Sequence, residues 1–183
     1  MAFVETGIEG LKIFEPKIWG DARGYFFESY NETVFKDSDI DAVFVQDNQS
    51  RSARGVLRGL HYQLPPFTQA KLVRCIYGKV LDVVVDIREG SPTYGKSFSV
   101  ILSAQNKRQL FVPRGFAHGF VVLSKEAEFF YKCDNMYASK HEAGIAYNDP
   151  QLKIDWQIPL NEMILSEKDK FNPMFGEHIK ILF

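Results

Sequence analysis

Short apolar runs separated by turn residues recur along the whole chain: GYFFESY (24–30), VFVQDNQ (43–49), KLVRCIY (71–77), VLDVVVDI (80–87), SFSVILS (97–103), QLFVP (109–113) and EFFYKC (128–133). Such runs, apolar in alternation and bounded by turns, predict strands. In VLDVVVDI, Leu81, Val83, Val85 and Ile87 fall on one face and Asp82 and Asp86 on the other, the period of two expected of a half-buried strand. Gly78-Lys79, lying between two runs, predicts a hairpin turn. Helical spacing is confined to a stretch near Asn31–Ser38 and another starting around Ser166. Many short strands with few helices predict an all-β sandwich or closed barrel, the jelly roll being the common double-sheet solution. No repeat, low-complexity tract or Ser/Gly linker divides the chain, so one domain over residues 1–183 is expected.

Several polar residues alternate in phase with apolar ones. Lys71 shares a face with Val73, Cys75 and Tyr77, so it either points into a barrel or lies on an edge strand and snorkels to water. Tyr131 is in phase with Phe129 and Cys133, which suits a core tyrosine as well as a functional one. Phe44, Gln46 and Asn48 share a face opposite Val43 and Val45: the amides form a pocket wall or an exposed polar face, because alternation does not say which face is inside.

An apolar fraction of 45% with 14% aromatic residues over 183 residues is ample for one sizeable core. A net charge of -1 gives no global field to draw nucleic acid or an anionic membrane, so a negatively charged ligand needs a local Arg/Lys cluster. Cys75 and Cys133 sit inside apolar runs, which predicts reduced, buried thiols. The first residues, MAFVETGIEG, lack a basic region followed by an apolar stretch, and no long apolar run follows, so a cytoplasmic location without membrane or nucleic-acid partners is expected.

Of the histidines, His141 and His178 lie in polar stretches, leaving His61 and His118 as site candidates. PRGFAHGF, with Pro113, Gly115 and His118 in P-x-G-x-x-H spacing, resembles the second motif of the cupin superfamily, whose His often binds a metal. A metal-binding first motif would carry H-x-H and a downstream Glu, whereas His61 is followed by Tyr62 and Gln63. Two histidines without a nearby carboxylate make a poor transition-metal site, so no metal is expected.

GYFFESYN, QDNQS, GVLRGLHYQ, QAKLVRC, FVPRGFAHGF and LSEKD occur in the order found in dTDP-4-dehydrorhamnose 3,5-epimerases, and the resemblance spans roughly residues 10–170. It implies a cupin-type double-stranded β-helix (jelly roll) with a few short helices. The implied enzyme is a homodimer without a cofactor. It inverts the two carbons flanking the keto group of dTDP-4-dehydro-6-deoxy-glucose, in dTDP-L-rhamnose biosynthesis. By position in the matching motifs, His61 would be the base, Asp169 its hydrogen-bonded partner, Lys71 the cation opposing the enolate oxygen, and Tyr131 the acid on the far face of the ring. Arg23, Glu28, Gln46, Asn48, Arg58, His118, Glu142 and Lys168 match positions that contact substrate, with Arg and Lys neutralising the diphosphate.

Ser166-Glu167-Lys168-Asp169 has a second reading, as a helix start capped by S-x-x-D. Strict alternation along RGLHY puts Arg58 and His61 on opposite faces, and Gly59 is where that regularity can break. Relatives that invert one carbon, and 3,4-ketoisomerases, preserve much of the same pattern. A non-catalytic sugar-nucleotide binder and a metal-dependent oxygenase are the alternatives outside this chemistry.

Overall fold

A computed structural model describes residues 2–181; Leu182 and Phe183, the end of the apolar tail FNPMFGEHIKILF, lie outside the described residues. The strands are β1 (Ala2–Glu5), β2 (Lys12–Glu15), β3 (Trp19–Asp21), β4 (Gly24–Phe26), β5 (Gln46–Ala53), β6 (Leu57–Gln63), β7 (Lys71–Tyr77), β8 (Lys79–Asp86), β9 (Ser97–Ser103), β10 (Gln109–Val112), β11 (Phe116–Val122), β12 (Glu126–Cys133) and β13 (Glu142–Gly144). Six of them form a sheet in the order β1-β2-β10-β7-β12-β5 and five a sheet in the order β13-β6-β11-β8-β9, while β3 and β4 make a separate hairpin. All strand pairs are antiparallel. The expected all-β jelly roll is therefore present.

Three apolar layers hold the sheets. Between them lie Val73, Cys75, Val80, Val84, Leu110, Phe120 and Phe129. Outside the five-stranded sheet, Leu60, Tyr62, Leu81, Val83, Val85 and Val121 are covered by Ile145, Leu152, Trp156 and Ile181 from the C-terminal part of the chain. Outside the six-stranded sheet, Phe14, Leu72 and Phe111 pack on Phe35 and Ile40 at α1 (Glu32–Lys36). The tail's described residues thus join the outer wall, where Tyr62 Oη donates to the Ile179 carbonyl at 2.7 Å and Lys180 pairs with Glu89.

Two expectations are overturned. Strand β8 is not half-buried: Asp82 and Asp86 are as inaccessible as the valines between them, because both faces of this central strand are covered. Gly78 does not turn a hairpin, since β7 and β8 belong to different sheets. It is the corner where the chain changes sheet, at φ +75°, with the Glu126 carbonyl oxygen 2.1 Å from where a Cβ would stand.

Boundaries shift elsewhere. GYFFESY is a strand only over Gly24–Phe26, exposed in the small hairpin, and the strand begun at VFVQDNQ starts at Gln46. The first helix is α1, with the Asn31 side chain accepting from the Thr33 and Val34 amides. The second is a 3-10 turn, Lys168–Phe171, in which Ser166 Oγ accepts from the Asp169 amide at 3.2 Å. No helix among the described residues is long and apolar enough to cross a membrane.

Candidate active site

The strands β7 and β12 pair inside the six-stranded sheet, which removes the edge-strand reading of Lys71: it faces inward beside Tyr131, its Nζ 5.8 Å from the tyrosine ring centroid. Gln46 and Asn48 also turn inward, their amides joined at 3.1 Å, while Val43 and Val45 are exposed. From the facing sheet, His61 on β6 and His118 on β11 sit opposite one another in register.

Arg58 and His61 both reach this interior in spite of the alternation. Gly59 adopts φ +137° and lies so close to Gly119 that a Cβ would stand 2.5 Å from the Gly119 Cα. The β6–β11 register shifts at this point, between His118 and Phe120, resetting the alternation.

Two adjoining cavities, of about 270 and 370 Å³, share His61, Lys71 and Tyr131 in their walls. The first adds Gln46, Asn48 and Glu142, and the second Arg58, His118, Lys168 and Asp169. Arg23 and Glu28 line neither. Arg23 projects from the β3–β4 hairpin, its side chain 91% exposed and paired with Asp21, and Glu28 accepts from Asn31 Nδ2 at 3.1 Å.

His61 Nε2 and Asp169 Oδ1 share a hydrogen bond of 2.5 Å, with Asp169 almost wholly buried. Burial alone would raise the Asp169 carboxyl, but the His61 bond and charge, the Ser166 hydroxyl and the Gly59 amide outweigh it and hold it below the usual range. The Asp169 backbone N–H donates to Ser166 Oγ while its side chain meets His61, so the carboxylate does not close a capping box. Desolvation pushes the Tyr131 phenol up, so at neutral pH it carries its proton. Desolvation pushes the Lys71 ammonium down, with Cys133, Asp82 and Glu142 opposing.

Glu142 forms an ion pair with Lys168 and accepts from Tyr137 Oη at 2.7 Å, tying the two cavities together. His118 Nε2 lies 2.9 and 3.1 Å from the two Asp82 oxygens. The Nε2 atoms of both inward histidines are therefore engaged by carboxylates. No group of three or more His, Cys, Asp or Glu side chains placed to hold a metal ion occurs among the described residues.

Sequence reasoning missed Tyr137, Gln63 and Asp82. Tyr137 and Gln63 line the first cavity, and Gln63 holds the loop by donating to the Phe67 and Met136 carbonyls and accepting from the Ala138 amide. Neither follows an alternating run, so no periodicity marks them. Asp82 had a signal: a carboxylate among consecutive valines and leucines.

A family model described as dTDP-4-dehydrorhamnose 3,5-epimerase matches residues 5–177. The chain is 55% identical to the Shigella flexneri dTDP-4-dehydrorhamnose 3,5-epimerase, over 92% of this chain and 93% of that one. It is 54% identical to the Pseudomonas aeruginosa enzyme of the same name, over 97% of each. Among solved structures, the Legionella pneumophila dTDP-6-deoxy-D-glucose-3,5-epimerase in complex with dTDP-4-keto-L-rhamnose is 51% identical, with TM-score 0.92, covering 96% of this chain and 93% of that one. A 3'-monoepimerase from Streptomyces bikiniensis with bound dTDP-quinovose is 35% identical, with TM-score 0.85, over 93% of this chain and 86% of that one. This chain belongs to the dTDP-4-dehydrorhamnose 3,5-epimerase family.

Proposed function

We propose that this protein is a dTDP-4-dehydrorhamnose 3,5-epimerase, an isomerase that inverts carbons 3 and 5 of dTDP-4-dehydro-6-deoxy-glucose in dTDP-L-rhamnose biosynthesis. The observation that carries the catalytic assignment is the opposition of His61 and Tyr131 on facing sheets of one cleft, with Lys71 beside Tyr131 in both cavity walls. A carbon beside a carbonyl epimerises when a base removes its proton, a cation steadies the enolate and an acid returns a proton from the other face.

His61 takes the proton, and buried Asp169 orients the ring and steadies the charge it acquires. Lys71 opposes the enolate oxygen. Tyr131, still protonated at neutral pH, delivers from the opposite wall. Each carbon passes through the same enolate chemistry, so the reaction needs no cofactor. Arg58, Lys168, His118, Gln46, Asn48 and Glu142 surround the remainder of the cleft and hold the sugar nucleotide.

Arg23 and Glu28 act on substrate in a homodimer, reaching the cleft of a second copy. The support is that Arg23 stands on an exposed hairpin and that neither residue lines the cleft of its own chain, while β1 at the edge of the six-stranded sheet is a ready site for pairing between copies. The enzyme works in the cytoplasm, without membrane or nucleic-acid partners.

Incubation with the keto sugar in deuterated water, followed by nuclear magnetic resonance, tests the reaction. Deuterium enters carbons 3 and 5, and His61→Ala lowers turnover by a factor of about 100 to 10,000 with little change in dTDP affinity. Label at one carbon alone would make the protein a single-site epimerase, a displaced keto group a 3,4-ketoisomerase, and no label would remove the enzymatic reading.

A further inference from the structure

Asp82 has no part in the assignments above, yet it is wholly buried and points at the site. Along β8, Leu81, Val83 and Val85 enter the outer apolar layer, so Val80, Asp82 and Val84 face the barrel interior. There the Asp82 carboxylate meets His118 Nε2, which lies within 3.1 Å of both its oxygens. His118 is itself 8% exposed and stacks on Phe129, so the ring has little freedom apart from this bond.

The charged and titratable groups facing Asp82 are His118 from β11 and Lys71 and Cys75 from β7. Those facing Lys71 are Asp82, Cys133 from β12 and Glu142 from β13, with the Tyr131 ring beside it. Of these, burial keeps the Cys133 thiol neutral, and Glu142 is already engaged by Lys168 and Tyr137. Burial likewise raises the Asp82 carboxyl, with His118 and Lys71 opposing that rise. A carboxyl stripped of water needs partners in place of its hydration, and the His118 ring nitrogen stands within hydrogen-bond reach of both its oxygens.

We infer that Asp82 is a positioning residue for the epimerisation: it anchors the His118 ring through Nε2 and so sets how that ring faces the cleft. With Nε2 donating to Asp82, only Nδ1 of His118 is left for a ligand, so the aspartate also fixes which ring nitrogen the substrate meets. The inference rests on the epimerase reading given above.

Asp82→Asn keeps the size of the side chain and an acceptor for Nε2–H while removing the charge. The expected result is a kcat lowered at least about tenfold. The nitrogen-15 shifts of the His118 ring move in the same variant, because Nε2 loses its carboxyl partner. A purely structural role would lower the melting temperature and leave kcat and the ring shifts where they are, so a folded Asp82→Asn enzyme with wild-type kcat and unmoved ring shifts overturns the inference. Should the variant not fold, the imidazole nitrogen-15 shifts of His118 in the wild-type enzyme decide: Nε2 carries the proton of the neutral ring, and the opposite tautomer overturns the pairing. Failure of the epimerase reading shows separately, as no deuterium uptake by the wild-type enzyme.

Discussion

Asp86 shows how a single side chain sets acid stability in this barrel. Burial raises its carboxyl, but the Arg88 guanidinium and amide with the Thr93 and Ser91 hydroxyls outweigh that and hold it at about 2. Its folded value lies below the unfolded one, so its contribution is complete above the ordinary carboxylate range and is lost as the pH falls toward about 2. A downward shift of this size is worth about 2 kcal/mol. Urea unfolding of wild type and Asp86→Asn is expected to show that gap in full at neutral pH and a shrinking gap between about pH 4 and 2. Lys71 and Tyr131 were legible as inward polar residues because an alternating run says which side chains share a face. Asp82 and Asp86 were not, because the same run cannot say whether its second face is wet.

Strand β6 owes its irregular form to a glycine. At Gly59 the positive φ and the approach of Gly119 leave no room for a Cβ, and the resulting break turns both Arg58 and His61 toward the cleft. Gly59→Ala combines backbone strain with overlap and is expected to cost about 2–4 kcal/mol, read as a lowered urea midpoint. Turnover should fall further than stability alone explains, since His61 leaves its place beside Asp169. An alanine enzyme of wild-type midpoint and turnover would refute this account of the bulge. The sequence reading located Gly59 as the weak point, and it found the helix near Asn31 and most barrel strands. It misjudged Gly78 because a turn residue marks where a strand ends, whereas the neighbour of the next strand is set by contacts far along the chain.

As a molecule, the protein places its chemistry between two sheets and closes each outer face with a different part of the chain. Ten of the side chains matched to family positions meet in one cleft, and Arg23 and Glu28 stand apart from it. A mixed-dimer experiment tests the proposal that they serve a second copy. Arg23→Ala and His61→Ala enzymes, each impaired, are unfolded together and refolded; recovery of activity above either alone is expected if the hairpin serves its partner's cleft. No recovery would place Arg23 at its own site or at none. Sequence reading does not reach this question, because motif order gives the membership of a site but not which copy of the chain would deliver each member.

The pair His61–Asp169 joins positions 108 residues apart, one on a barrel strand and the other just before the tail that seals the outer wall. The pair is complete only once both segments have docked. During refolding from urea, the barrel sheets can assemble while His61, the base of the proposed reaction, still lacks its carboxylate, so turnover is expected to trail the recovery of β-sheet circular dichroism. A half-assembled barrel is in this sense locked against its own reaction, and the keto sugar meets a working base only after the last strap has docked.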